Sequence, residues 1–311
     1  MHASVSHIAR GFEQRTGGPP SAAAAREARV VAVGARENFH VLSILLPARL
    51  RGDFANLYGF CRAADDLADE SGDAATALAL LAEWRAELHA CFAGRPRHPV
   101  FVALRETISR HDLPAEPFEH LLDAFEQDQR VARYATWPQL LDYCRRSANP
   151  VGRLVLMICG YRDEKRMALA DRTCTALQLA NFWQDVRDDL LTRQRIYVPA
   201  DVAAAHALDL EALGVGMSRN CFSAELDRAY RETIRDLTDR TQAYFAEGRA
   251  LLPMLSPDVR GHIRLFTLGG EAVLKKIADA SFGTHRSRPA LGRFEKLTLL
   301  VQAWAKSLEQ P

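Results

Sequence analysis

The sequence predicts an all-α protein, and three observations predict it. Alternating β-branched runs bounded by turn residues are nearly absent, so strands have little to start from. Ala, Leu, Arg and Glu dominate, and all four are good helix formers. Apolar residues recur at three- and four-residue steps through most of the chain, which lines one face of a helix. Helices of this kind are stable when their apolar faces pack together. The expected architecture is therefore a single-domain bundle of roughly ten helices around one centre.

Residues 1–34 are rich in Ala, Gly, Ser and Arg and contain Gly17-Gly18-Pro19-Pro20. They lack the compact apolar run of a secretory signal and read as a flexible lead-in, with residues 35–311 as the helical domain. Breakers then punctuate the domain in order: Gly94 to Pro99, Pro114 to Pro117, Trp137-Pro138, Pro199, Gly214 to Gly216, Pro253 to Pro257 and Arg286 to Pro289. No connection between them is long enough to separate one domain from another, and no tandem repeat is visible.

Composition narrows the function classes. The chain has 311 residues, 48% hydrophobic and 25% charged, which suffices for a substantial core. Its 40 basic and 39 acidic residues leave a net charge of +1, without the basic excess of a nucleic-acid binder. Six scattered cysteines form no CxxC pair and read as reduced thiols of a cytoplasmic protein. No apolar run approaches the roughly 18–20 residues of a membrane span, so any membrane contact is expected to be peripheral.

Chemistry is concentrated in two acidic stretches. In Tyr58–Glu70, a helix places Tyr58, Arg62, Asp65 and Asp69 within an arc of about 60°, the two aspartates about 6 Å apart along the axis. In Gln178–Asp189, Gln178, Asn181, Asp185 and Asp189 share a face spread over roughly 80°. One such DxxxD face is ordinarily a solvated surface. Two of them, each flanked by neutral hydrogen-bonding residues and with few lysines nearby, point elsewhere. Like charges one turn apart repel and need a counter-ion. Mg²⁺ suits them, because it takes few carboxylates and keeps water and phosphate oxygens as further ligands.

A third stretch, Tyr143–Arg153, contains Asn149-Pro150. Proline removes a backbone donor, so this dipeptide marks either a kink that frees carbonyls or a break between two helices. Tyr143 and Ser147 stand one turn apart before it, as a water-holding phenol and hydroxyl or as ordinary core. Other motifs fail. Glu37-Asn-Phe-His40 is a single ExxH, whereas di-iron bundles need two with further glutamates. There is no HExxH, and Gly214-Val-Gly216 lacks the third glycine and preceding strand of a dinucleotide fingerprint.

Tyr58-x-x-x-Arg62-x-x-Asp65-x-x-x-Asp69 and Gln178-x-x-Asn181-x-x-x-Asp185-x-x-x-Asp189 resemble the two aspartate motifs of squalene and phytoene synthases. Tyr143-Cys144 with Val151-Gly152 is similar to that family's central segment, and Arg195-Ile-Tyr197-Val-Pro199 to its R-x-Y-x-P element. The resemblance runs from about Glu37 to beyond Gly283 and implies the isoprenoid synthase fold with a central cavity. It implies Asp65, Asp69, Asp185 and Asp189 as ligands of two or three Mg²⁺ ions on a substrate diphosphate. Arg62 and Arg195 would assist the leaving group, Tyr143 would serve in catalysis, and Tyr58, Gln178, Asn181, Tyr197, Asn38 and Ser147 would contact substrate.

Within the family, Glu37-Asn38-Phe39, Tyr143–Arg153 and Asn181–Asp185 look most like the hydroxysqualene-forming branch of bacterial hopanoid pathways. That branch turns presqualene diphosphate and water into hydroxysqualene and diphosphate, and a presqualene diphosphate synthase would hand over its substrate. No NADPH is expected, in contrast to squalene synthase, which also has a C-terminal membrane anchor. The chain departs from the wider family at the N-terminal serine segment, replaced by Arg36–Phe39, and at VAGTVG, here Ser147–Gly152. Both departures favour a single large substrate. Condensation of two farnesyl or geranylgeranyl diphosphates, and a non-catalytic assembly factor, stand as alternatives.

Overall fold

The computed structural model describes Ile8 and residues 46–308. Arg36–Phe39, including the site candidate Asn38, and all of the 1–34 lead-in except Ile8 lie outside the described residues. From Leu46 onward the described residues form twelve α-helices and one 3₁₀ helix, as the composition predicted. No strand occurs among them beyond an isolated bridge between Arg133 and Ile196. No helix among the described residues is long and apolar enough to cross a membrane.

The chain divides into two compact units, the first comprising residues up to Arg130 with Arg153–Asp163 and the second Val131–Gly152 with Glu164–Pro311. In the first, α1 (Ala48–Asp69) packs against α2 (Ala74–Phe92), α3 (Pro99–His111) and α4 (Glu116–Asp128). Asp73 starts α2 by accepting the Thr76 amide, which satisfies one donor that a helix start leaves unpaired. The core is aromatic: Phe60 of α1 meets Trp84, Phe101 and Phe118, one from each of the other three helices. All four rings are fully buried, each contributing about 1.5–3 kcal/mol of burial. Asn56 donates to the Ala103 carbonyl and to Thr107, tying the polar side of α1 to α3.

The second unit is built on α7 (Glu164–Arg193), which packs against α5 (Trp137–Ser147), α10 (Ala224–Gly248) and α11 (Pro257–Asp279). Trp183 is fully buried and donates its indole N–H to Thr241 at 2.8 Å. Gly270 lets three helices meet, since a Cβ there would lie 2.3 Å from the Phe245 ring and 2.8 Å from Leu177. In chain order α6 (Asn149–Ile158) comes between α5 and α7; after α7 come α8 (Ala200–Ala205) and α9 (Leu210–Arg219), and the last element is α12 (Arg293–Leu308).

Two local expectations resolve here. Asn149-Pro150 opens a new helix, with Ala148 as the non-helical residue between α5 and α6, so it is a break and not a kink. Gly214 to Gly216, expected to interrupt the chain, instead lies inside α9. The glycine there serves close packing: a Cβ on Gly216 would stand 2.8 Å from the Phe222 ring and 3.0 Å from the Cys221 carbonyl. Packing outweighs the roughly 1 kcal/mol that glycine costs a helix. All six cysteines are free.

Candidate active site

On α1, Tyr58, Arg62, Asp65 and Asp69 all fall on one continuous helix, and all four are half-buried. Phe60, Ala63, Ala64 and Leu67 bury its other side, which fixes the polar face by elimination. Arg62 Nη1 donates to Asp65 Oδ2 at 2.9 Å, and its Nη2 bonds Asp66 and approaches Glu70 at 3.7 Å. Asp66 is buried and escaped the sequence reading, although its i,i+4 spacing from Arg62 is a legible signal. Burial, reinforced by neighbouring Asp65, pushes the Cys61 thiol up to about 12, so it is no nucleophile here.

On the opposite edge of α1, Asp53 has a different role. It is buried and accepts hydrogen bonds from Thr107 at 2.8 Å, Arg110 at 2.7 Å and His111 at 3.0 Å. Burial alone would raise its pKa, but His111, Thr107 and Arg110 together outweigh that and hold it below 3.8. This carboxylate is saturated by protein donors and welds α1 to α3.

On α7, Gln178 and Asp185 are half-buried, Asp189 is buried and Asn181 is exposed. Asp189 accepts from Arg193 at 3.1 Å, one turn further on. Asp185 bonds Arg288 through both Nε and Nη2, the latter at 3.3 Å. Arg288 Nη2 also donates to Gln184 Oε1 at 3.1 Å, and Nε stands 3.9 Å from Asp188. The hydrogen bond to Asp185 raises the guanidinium pKa above its ordinary value. Arg288 is a residue that sequence reasoning misses, because Arg286 to Pro289 reads only as a break.

Few lysines are nearby, but Arg62, Arg193 and Arg288 bond the carboxylates directly. Arginine's planar fork matches a carboxylate better than an ammonium does.

The remaining candidates of the second unit gather around rings. Tyr197 stacks on Phe182 of α7 with centroids 3.9 Å apart and planes 8° from parallel. Tyr143 lies 5.9 Å from Tyr197 and 6.1 Å from Phe182, and Tyr134 stands 5.5 Å from Tyr143. All four rings are buried. Arg195 is buried just after α7, where its amide donates to the Asp189 carbonyl, while the Ile196 amide donates to Ala132. Ser147, at the end of α5, has a buried hydroxyl oxygen with no hydrogen-bond partner among the described residues. Two residues on, Asn149 Oδ1 accepts from Thr175 at 2.9 Å.

Neither acidic pair is a closed metal cage: among the described residues, no three His, Cys, Asp or Glu side chains cluster to enclose an ion. Two carboxylates one turn apart, with open positions, are the donor set that suits Mg²⁺ carrying water and phosphate oxygens. The pair on α7 already attracts a cation in the form of Arg288.

Comparison with known proteins bears on this arrangement. The sequence model of the squalene/phytoene synthase family matches residues 32–295. A phytoene synthase of Thermus thermophilus is 30% identical over 86% of this chain and 87% of its own. A hydroxysqualene synthase of Rhodopseudomonas palustris is 35% identical over 69% of this chain and 70% of its own. Among solved structures, squalene synthase HpnC from Alicyclobacillus acidocaldarius superposes with a TM-score of 0.75 at 40% identity, covering 84% of this chain and 95% of that one. A dehydrosqualene synthase in complex with ligand, at 20% identity and a TM-score of 0.77, shares the all-α isoprenoid synthase fold.

Proposed function

The chain belongs to the squalene/phytoene synthase family, a family of isoprenoid-building enzymes, and from that premise we propose that it converts presqualene diphosphate and water to hydroxysqualene and diphosphate. The observation that carries the ionisation half is the pair of DxxxD faces, each on a helix whose other side is packed. Asp65, Asp69, Asp185 and Asp189 are the residues that would hold Mg²⁺. At either pair, bound Mg²⁺ would supply positive charge for the departing diphosphate. Arg195 adds a fixed positive charge, and Arg62 orients Asp65 through their direct bond. Gln178 and Asn181, and Tyr58 on α1, offer hydrogen bonds to substrate oxygens.

Once the carbon–oxygen bond breaks, the cation must meet only one water. Tyr134, Tyr143, Phe182 and Tyr197 form a buried ring cluster that excludes solvent and tolerates positive charge on its π faces. Ser147 favours capture over condensation: its buried hydroxyl, unpartnered among the described residues, is a polar atom in want of water. The water oxygen bonds the cationic carbon and a proton passes to the released diphosphate. A presqualene diphosphate synthase would supply the substrate, and the water-insoluble product favours a peripheral contact with a lipid surface of the cytoplasm.

A second reading, head-to-head condensation of two linear diphosphates, is favoured by the longer coverage of the phytoene synthase relative. Incubation with Mg²⁺ and each diphosphate separately, followed by lipid identification, divides the two. Hydroxysqualene from presqualene diphosphate, unchanged by NADPH, is the expected result. Efficient formation of presqualene diphosphate or phytoene from linear substrates would replace it with the second.

A further inference from the structure

The segment Thr284–Pro289, which follows α11, is fastened at both ends within its unit. Tyr230 and Thr284 share a hydrogen bond of 2.6 Å, and Asp227 accepts from His285 at 2.9 Å and from Arg286 at 2.7 Å. Towards α7, Arg187 donates to the His285 carbonyl at 3.0 Å and Gln184 donates to the Pro289 carbonyl at 2.6 Å. Arg288 is suspended between these fixed points. Its side chain is 42% exposed and that of Asp185 27%, so the contact is exchangeable while its backbone is held.

We infer that Arg288 is a resident counter-cation of the α7 carboxylates, which makes metal loading there depend on the diphosphate. The inference rests on the proposed reading of Asp185 as a metal ligand. A guanidinium keeps its charge at all working pH values, so it cannot yield Asp185 by deprotonation. A divalent ion binding Asp185 alone must displace Arg288 or endure its repulsion. A diphosphate arriving with the ion brings enough negative charge to offset both cations. The two ligands thus favour each other, and by reciprocity each raises the affinity of the other by the same factor. Gln184 and Pro289 keep Arg288 within reach, so it recloses on Asp185 when the site empties.

The probe is Mn²⁺, measured by electron paramagnetic resonance on the full chain, with and without inorganic diphosphate. Wild type is expected to bind Mn²⁺ weakly alone and more tightly with diphosphate. In Arg288→Gln, binding of Mn²⁺ alone should strengthen about tenfold, and the gain from diphosphate should shrink by a like factor, within the usual range of coupling. Arg288→Lys, which keeps the charge, should stay near wild type and serves as a second variant. Unchanged or weaker Mn²⁺ binding in folded Arg288→Gln would overturn the inference. Asp185→Asn separates the two claims. If it binds Mn²⁺ like wild type, the metal assignment itself fails; if it loses Mn²⁺ while Arg288→Gln is unchanged, only the counter-cation role fails.

Discussion

On α1, Arg62 bonds Asp65 and Asp66 from within about one turn of the same helix, whereas on α7 Asp185 meets Arg288, 103 residues further along the chain. The two faces have the same DxxxD pattern. In the first, the counter-charge belongs to the helix itself and is well shielded, with Arg62 only 17% exposed. In the second, Asp189 likewise has a partner on its own helix, Arg193, but the counter-charge of Asp185 is borne by an anchored loop and is readily exchanged. An acidic face built to receive a cation therefore has two routes to stability before the cation arrives, and this chain uses both.

The largest test of the comparison is catalytic. Asp65→Ala and Asp185→Ala should each lower turnover on the order of 10³-fold, the scale of losing one electrostatic contact to a developing charge. Far-UV circular dichroism should stay unchanged, because neither side chain fills the core. Near wild-type activity in one variant would leave a single functional acidic face and end the parallel.

A contrast within α1 gives an effect on stability. Asp53→Asn should cost about 1–3 kcal/mol, since it weakens charge-assisted bonds to three partners around a buried carboxylate. The folded chain depresses the Asp53 pKa below 3.8, so its stabilisation is complete above that unfolded value and drains away as pH falls through the folded one. Urea unfolding of wild type and variant should therefore differ fully at neutral pH, begin to converge as the pH falls below about 3.8, and meet only below the depressed folded value. A gap that is constant with pH would show that the carboxylate charge is not what holds α1 to α3.

The smallest effect sharpens the difference in counter-charge. Arg62→Gln should destabilise by about 1–2 kcal/mol, because it strips bonds from buried Asp66 as well as Asp65. Arg288→Gln should cost less than about 0.5 kcal/mol, as exposed pairs usually do. Equal shifts in the urea midpoint would mean that both arginines are structural to the same degree.

The fold class was legible because it rests on periodicity, which is local: the Phe60, Leu67 and Trp183 positions announce their buried faces in sequence. That the four aspartates, Arg62 and Tyr58 stand at helical spacing on α1 and α7 was legible for the same reason. Arg288 was not, since nothing within a few residues of Asp185 signals a partner so far along the chain. Gly214 to Gly216 misled because the local cost of glycine is visible in sequence while the ring of Phe222 lying against Gly216 is not. Ser147 stands out in sequence by its spacing from Tyr143; that its hydroxyl lacks a partner among the described residues is a property of packing alone.

Turnover of presqualene diphosphate in ¹⁸O-water tests the account most directly. With Mg²⁺ present, the label should appear in the alcohol oxygen of the product and be absent from the released diphosphate, because the carbon–oxygen bond breaks and solvent captures the carbon. An unlabelled hydrocarbon as sole product, or label in the diphosphate, would contradict ionisation followed by water capture.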